Sequence, residues 1–291
     1  MPFNSVESIL KICKKEKIHF AQVIRNDDCE ERGVKEQESI EKMRLLWTAM
    51  LDATASYDKE SVSASGLVGK EGGLMEDYRN HQESISGDFV SLVIARALQM
   101  GASNACMKRI VAAPTAGACG VLPSVLTSIH EEKQLSEDQM IDALYVSAGL
   151  GQVIAKRAFI SGAAGGCQAE IGSASAMAAA ALVSLKGGDD DQIANASAMA
   201  LKNLLGLVCD PVGGLVEVPC VKRNVIGAVN ALAAADMALA GIKSAIPVDQ
   251  VIDAMRSVGE SMDASLRETG FGGLAATPKA KEIVRQMKQQ H

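Results

Sequence analysis

Three cysteines in segments rich in glycine and proline are the residues of this sequence best suited to chemistry. Cys167 lies in the run G-A-A-G-G-C-Q-A-E-I-G at 162–172, and Cys209 and Cys220 enclose the run C-D-P-V-G-G-L-V-E-V-P-C. Thiolates are the usual protein ligands of iron–sulphur clusters. Three of them leave one iron of a four-iron cluster without a protein ligand, and Lewis-acid catalysis needs such an open metal position.

The surroundings of the cysteines strengthen a spacing that is a weak signal by itself, since the sequence holds no C-x-x-C and no H-E-x-x-H motif. Pro219 precedes Cys220, and Lys222 and Arg223 follow it at a predicted helix start. Nearby cations and helix N-termini lower the pKa of a thiol, and the thiolate is the ligand form. Cys119 is either a fourth ligand or a small buried thiol, and we favour the buried thiol.

The elements that must position these cysteines are predicted to be helices, about ten of them, with no convincing alternating strand. The fold class is therefore all-α, with an N-terminal helical segment over 1–55 and a compact catalytic domain with Gly-rich loops over 56–291. We expect one helix over 5–23, broken at 26–28, and a second from Ser39. Further helices are expected over the ranges 86–108, 136–158, 173–186, 192–206, 223–242 and 247–258, and at the C-terminus.

Composition excludes several classes of function. The net charge is −6 and aromatic residues make up 3% of the chain, whereas nucleic-acid binding needs a basic surface and single-strand binding needs stacking aromatic side chains. The apolar run 173–185 is too short to span a membrane, and 225–246 is interrupted by charged residues. An odd count of seven cysteines without an apparent signal peptide predicts reduced thiols and a cytoplasmic location.

Four long runs in a fixed order resemble the iron–sulphur-dependent L-serine dehydratases, and more narrowly the separate alpha subunit of their two-chain form. These runs are A-A-P-T-A-G-A-C-G-V-L-P, G-C-Q-A-E-I-G-S-A-S-A-M-A, C-D-P-V-G-G-L-V-E-V-P-C-V-K-R-N and G-F-G-G-L-A-A-T-P, within a similarity from Ser61 to Lys281. The resemblance implies an all-helical catalytic domain and a [4Fe–4S] cluster held by Cys167, Cys209 and Cys220. It also implies that L-serine is converted to pyruvate and ammonia.

Two departures from the family pattern bear on partners. Single-chain members carry an additional domain with an S-S-H-T loop that reaches the active site, and some members end in a cysteine that folds back onto the cluster. No S-S-H-T run occurs in this sequence, which ends in His291. We therefore expect a separate beta chain and an alpha–beta hetero-oligomer. Cys119 matches no ligand of the family.

Under this reading three glycine-containing loops bind the substrate through backbone N–H groups and hydroxyls. The predicted substrate-binding residues are Ser65, Gly66, Thr115, Ala116, Gly117, Gly272 and Gly273. The catalytic base is either Lys70 or a histidine of a partner chain. Two other functions stay open at this point: a pyridoxal-phosphate dehydratase with Lys70 as the Schiff-base lysine, and a non-enzymatic iron–sulphur sensor.

Overall fold

The computed structural model of the chain describes residues 3–290, which form thirteen α-helices and no β-strand. The all-α fold class is confirmed. The helices are α1 (Val6–Glu16), α2 (Phe20–Arg32), α3 (Glu36–Ala55), α4 (Glu71–His81), α5 (Gly87–Ala105), α6 (Val121–Lys133), α7 (Glu137–Arg157), α8 (Gly162–Gly165), α9 (Ser173–Leu185), α10 (Asp190–Lys202), α11 (Cys220–Leu239), α12 (Val248–Ser261) and α13 (Pro278–Gln290).

Helix α9 lies at the centre of the fold. Every residue from Ser173 to Val183 is buried, and the helix packs against α6, α7, α10 and α11. Its sequence is mostly alanine and serine, so neighbouring helices approach closely on all sides. The site segment at 166–172 leads directly into α9 and is therefore anchored in the buried centre of the fold.

Local capping explains where two long helices begin. Ser136 accepts a hydrogen bond from the backbone of Gln139, whose side chain accepts one from Ser136 in return, which confirms the predicted capping box of α7. Asp189 and Gln192 form the same arrangement at α10, so α10 begins two residues before the predicted start at 192.

The expected break at 26–28 is wrong. The chain instead breaks at Lys17, which takes the left-handed conformation (φ 56°), and α2 then runs without interruption to Arg32. Hydrogen bonds along the helix support its polar residues: Gln22 donates to Asn26 at 2.7 Å, and Arg32 donates to Asp28 at 2.8 Å. Such pairs four residues apart stabilise an exposed helical face.

The N-terminal helices pack on the rest of the fold through large side chains. Phe20 of α2 and Trp47 and Met50 of α3 are buried in the common hydrophobic core, and α2 and α3 both contact α7. The predicted division at residue 55 stays a prediction. Within residues 3–290, no helix combines the length and apolar character needed to cross a membrane.

Candidate metal and substrate site

Cys167 lies at an irregular junction between α8 and α9. Gly166 turns the chain with φ 77°, and residues Gln168–Gly172 form a π-helical turn that continues into α9. The Gln168 side chain fixes the turn, since its Nε2 donates to the carbonyl of Gly165 (2.9 Å) and its Oε1 accepts from the backbone of Gly206 (2.9 Å). Single π-helical turns occur frequently at functional sites.

Cys209 lies in an extended segment that pairs with the C-terminal glycine loop. Its N–H donates to the carbonyl of Leu266 at 2.8 Å, and its own carbonyl accepts from Glu268 at 2.7 Å. The adjacent carboxylate of Asp210 accepts a hydrogen bond from the backbone of Leu274 at 2.8 Å. A Cβ at Gly273 would stand 2.3 Å from this carboxylate, so the loop 270–277 requires glycine there.

Cys220 is the first residue of α11, and Asn224, one turn later, connects it to the loop before α6. The Asn224 amide donates to the carbonyls of Cys220 (3.0 Å) and Gly117 (2.9 Å), and its oxygen accepts from the backbone of Gly120 (2.8 Å). The structure thus brings the predicted residues Thr115, Ala116 and Gly117 to the helix that carries Cys220.

The three thiols are buried and interact electrostatically with one another. Burial raises the pKa of Cys167 and that of Cys220 to about 12 each, and burial with the neighbouring charge of Cys167 raises the pKa of Cys209 further. The sequence-based expectation of a lowered pKa at Cys220 is therefore wrong. Arg223 does lower the pKa of Cys220, but burial has the larger effect.

Arg223 connects the segments that carry the three cysteines. Its guanidinium forms an ion pair with Asp210 (2.8 Å) and donates to the carbonyl of Val208 (2.6 Å). It also lowers the pKa of Cys167 through charge and hydrogen bonding, although burial has the larger effect. Its side chain is 12% exposed, so this cation is held almost out of water beside the thiols.

Glu170 is a residue of this site that the sequence reasoning missed. Its Oε1 accepts a hydrogen bond from the Thr115 hydroxyl at 2.6 Å. A Cβ at Gly162 would stand 2.9 Å from Glu170 Oε2 and 2.7 Å from the sulphur of Cys209, so the carboxylate and the thiol are neighbours. Burial raises the pKa of Glu170. The sequence did contain a signal for this role, because Glu170 is a single charged residue in a run of mostly small and apolar residues after Cys167.

Glu217 is a second missed residue, and it holds the loop that precedes α4. This carboxylate is 7% exposed and accepts hydrogen bonds from the hydroxyls of Ser63 (3.1 Å) and Ser65. Glu217 lies between Cys209 and Cys220 in sequence, so it connects the predicted substrate loop to the cysteine-bearing segment. Gly66 completes the loop with φ 76°, and its N–H donates to the carbonyl of Ser63 at 2.9 Å.

Glu217→Gln is expected to loosen this loop. Hydrogen bonds to a charged acceptor contribute about 1.5–3 kcal/mol each, and the substitution removes that charge. Amide hydrogen exchange over 63–68 should therefore accelerate about tenfold or more. Glu60→Gln is the matched control, since within residues 3–290 the Glu60 carboxylate forms only an exposed ion pair with Lys70 at 3.6 Å, and such pairs contribute little to stability. Equal exchange rates in both variants would contradict the role of Glu217.

The remaining predicted residues have contacts that do not connect them to the three cysteines. Lys70 immediately precedes α4, with 58% of its side chain exposed and Glu60 as its ion-pair partner. Gly272 donates its N–H to the carbonyl of Ser265 at 3.0 Å. Cys119 is buried, and its thiol lies 3.6 Å from the carbonyl of Met100. Within residues 3–290, no group of three His, Cys, Asp or Glu side chains is arranged to hold a metal ion.

Comparison with known proteins places this chain in a family. The family described as "Serine dehydratase alpha chain" matches residues 14–275. The chain is 45% identical to the probable L-serine dehydratase alpha chain of Bacillus subtilis, covering 97% of this chain and 94% of that protein. It is 40% identical to the L-serine dehydratase alpha chain of Peptoniphilus asaccharolyticus, covering 97% of both.

Longer relatives match as well. The chain is 34% identical to the L-serine dehydratase TdcG of Escherichia coli, covering 94% of this chain but 61% of that protein. The relatives whose names specify an alpha chain are therefore covered almost end to end, whereas TdcG contains a further stretch that this chain does not match.

Proposed function

We infer that the chain, which belongs to the serine dehydratase alpha chain family, is an L-serine ammonia-lyase that forms pyruvate and ammonia. We further propose that it works with a [4Fe–4S] cluster bound by Cys167, Cys209 and Cys220. The observation that carries this proposal is that three buried thiols from three separate segments influence one another's pKa and are each influenced by the buried carboxylate of Glu170.

The residues present fit such a cluster. A four-iron cluster takes its cysteine ligands on separate irons, and three buried thiols whose charges influence one another could supply three such ligands. Gly162 leaves space beside the sulphur of Cys209, where a Cβ would stand only 2.7 Å away. The buried cation of Arg223 offsets the negative charge that the bound thiolates would carry.

In the proposed reaction Glu170 is the base that removes the Cα proton of L-serine. The Thr115 hydroxyl holds one carboxylate oxygen at 2.6 Å, so the other oxygen keeps a fixed direction. Burial raises the pKa of Glu170, which makes the carboxylate a stronger base than an exposed glutamate. When bound, the cluster would supply an open iron position that acts as a Lewis acid on the serine hydroxyl.

The three glycine-containing loops hold the substrate in this proposal. Ser65 and Thr115 supply hydroxyls, and the segments 115–117 and 272–273 supply backbone groups. Glu217 holds the loop that contains Ser65, Asn224 holds the segment 115–117, and Asp210 holds the loop 270–277.

The products follow from the loss of water. L-Serine without one water molecule is 2-aminoacrylate, which tautomerises to an imine. The imine takes up one water molecule and gives pyruvate and ammonia.

A separate beta chain would complete the enzyme. Large apolar side chains are exposed in the loops of the site and at the start of α4: Phe271 is 80% exposed, Val62 47% and Leu274 44% in the loops, and Leu74 67% in α4. Clusters of exposed apolar residues mark interaction surfaces. The alpha-chain names of the relatives support a partner of this kind, and we propose that it docks over these side chains in an alpha–beta hetero-oligomer.

The experiment that tests the proposed function is anaerobic turnover of L-serine by the reconstituted chain, measured as pyruvate beside iron and sulphide content. Without the beta chain we expect iron to be bound but little or no pyruvate to form, because the pocket is incomplete. Co-expression with the beta chain should restore turnover without a large change in iron per alpha chain. Robust turnover by the iron-loaded alpha chain alone would contradict the partner proposal and leave the reaction itself supported.

A further inference from the structure

A cavity of about 660 Å³ lies away from the cysteines, among helices α3, α4, α5 and α6. This volume is within the range of sites that bind small molecules. Leu51, Leu92 and Ala95 are apolar residues of its lining, which also includes charged side chains of α4, α5 and α6.

Four charged side chains line this cavity, Glu76, Arg79, Arg96 and Glu131, and their formal charges sum to zero. Arg96 forms an ion pair with Glu131, and the carboxylate of Glu76 accepts a hydrogen bond from Gln99 at 3.1 Å. Arg79 forms no side-chain hydrogen bond or ion pair with any other residue of the described range, and its Nε is buried without a partner. Its guanidinium is therefore available to an anion, preferably one that presents two oxygens to the guanidinium fork.

A second nitrogen at the cavity is also unpartnered. The Nδ1 of His130 is buried without a hydrogen-bond partner in the described part of the chain. The ring packs edge-on against Trp47 with the centroids 5.3 Å apart. The cavity thus combines one unpaired cation, an imidazole and apolar lining residues. A dianion fits it poorly, because Glu76 and Glu131 already supply negative charge at the cavity.

The cavity shares a wall with the loop that Glu217 holds. Tyr57 lines the cavity, and its hydroxyl donates to the carbonyl of Gly69 (2.9 Å) and accepts from the N–H of Gly73 (3.0 Å). Gln99, also in the lining, packs so closely on Gly72 that a Cβ there would stand 2.5 Å from its Cγ. A molecule bound in the cavity therefore contacts residues that position the substrate loop.

We propose that this cavity is a binding site for a small monocarboxylate with a short apolar chain, with its carboxylate on Arg79 and its chain against Leu51 and Leu92. The site is separate from the one proposed for L-serine. Binding to it is measured without turnover, so the two proposals stand or fail independently.

Butyrate is the probe, and butyramide is its neutral control of the same size. Titration of the purified full-length chain by calorimetry should show saturable binding of butyrate and at least tenfold weaker binding of butyramide. Arg79→Gln should weaken butyrate binding at least tenfold, and Arg79→Lys should weaken it less. Thr115→Val, a change in the other site, should leave butyrate binding intact.

Trp47 gives a readout that does not depend on how any variant folds. It is the only tryptophan of the chain, and it touches the His130 ring that lines the cavity. Butyrate should change the fluorescence of the unsubstituted chain with the same saturation curve that calorimetry gives. The proposal is overturned by absent binding, by equal binding of butyramide, by unchanged binding in a folded Arg79→Gln variant, or by binding that leaves Trp47 fluorescence constant.

Discussion

Replacing Cys167, Cys209 or Cys220 by serine is expected to lower the iron content of anaerobically reconstituted protein from about four atoms per chain to a small fraction of that value. Each cysteine comes from a different segment, so each substitution removes one of the three proposed ligands without changing the segments that carry the other two. A serine hydroxyl is a poor substitute for thiolate at iron, a metal that soft sulphur ligands hold in clusters. Iron and sulphide analysis, with the absorbance of the cluster, measures the result.

Cys119→Ser is the matched control for these three variants. The same atom is exchanged at a site that is also buried, and burial also raises the pKa of this thiol to about 12. The Cys119 side chain faces the carbonyl of Met100, so its loss should leave iron content near that of the unsubstituted chain. Stability can still fall by roughly 1–3 kcal/mol where a buried hydroxyl is poorly paired.

Two outcomes would change the ligand assignment. A variant of Cys167, Cys209 or Cys220 that keeps all its iron would remove that cysteine from the site. A folded Cys119→Ser protein without iron would make Cys119 a ligand. Circular dichroism and thermal unfolding separate a lost ligand from a lost fold in each case.

The helices were predictable where local sequence decides them. The capping box at Ser136 and the alanine-rich pattern of α9 act within a few residues, so pattern and structure agree. The expected break at 26–28 failed because the polar residues there form helical pairs on an exposed face, which the composition of three residues does not reveal. The observed helix end at Lys17 could not be predicted from breaker residues, because no glycine or proline lies next to it.

The candidate site was predictable only in part, because several of its contacts join residues that lie far apart in the sequence. Glycine and proline next to Cys167, Cys209 and Cys220 indicated irregular backbone from sequence alone. Glu170 and Glu217 acquire their roles through contacts that span 55 residues, to Thr115, and 152 residues, to Ser65. Such contacts exist only in the folded chain. The raised pKa of Cys220 likewise depends on how deeply α11 is buried, which neighbouring cations do not predict.

Glu170→Gln is expected to lower kcat for L-serine by about 10²–10⁴-fold, the usual contribution of a positioned base, in the iron-loaded complex with the beta chain. The amide keeps the shape of the side chain and can still meet the Thr115 hydroxyl, so iron content should stay near normal and KM should change little. That combination distinguishes a catalytic base from a residue that only supports the cluster, whose loss would remove iron.

Glu268→Gln serves as the electrostatic control for this prediction. Glu268 is exposed, and its charge is among the causes that raise the pKa of Glu170, after burial. If charge near the thiols were all that mattered, both variants would lose activity alike. We expect kcat to fall far less in Glu268→Gln, because within residues 3–290 no hydrogen bond orients the Glu268 carboxylate as the Thr115 hydroxyl orients Glu170. An iron-loaded Glu170→Gln complex with unchanged kcat would transfer the role of base to Lys70 or to the beta chain.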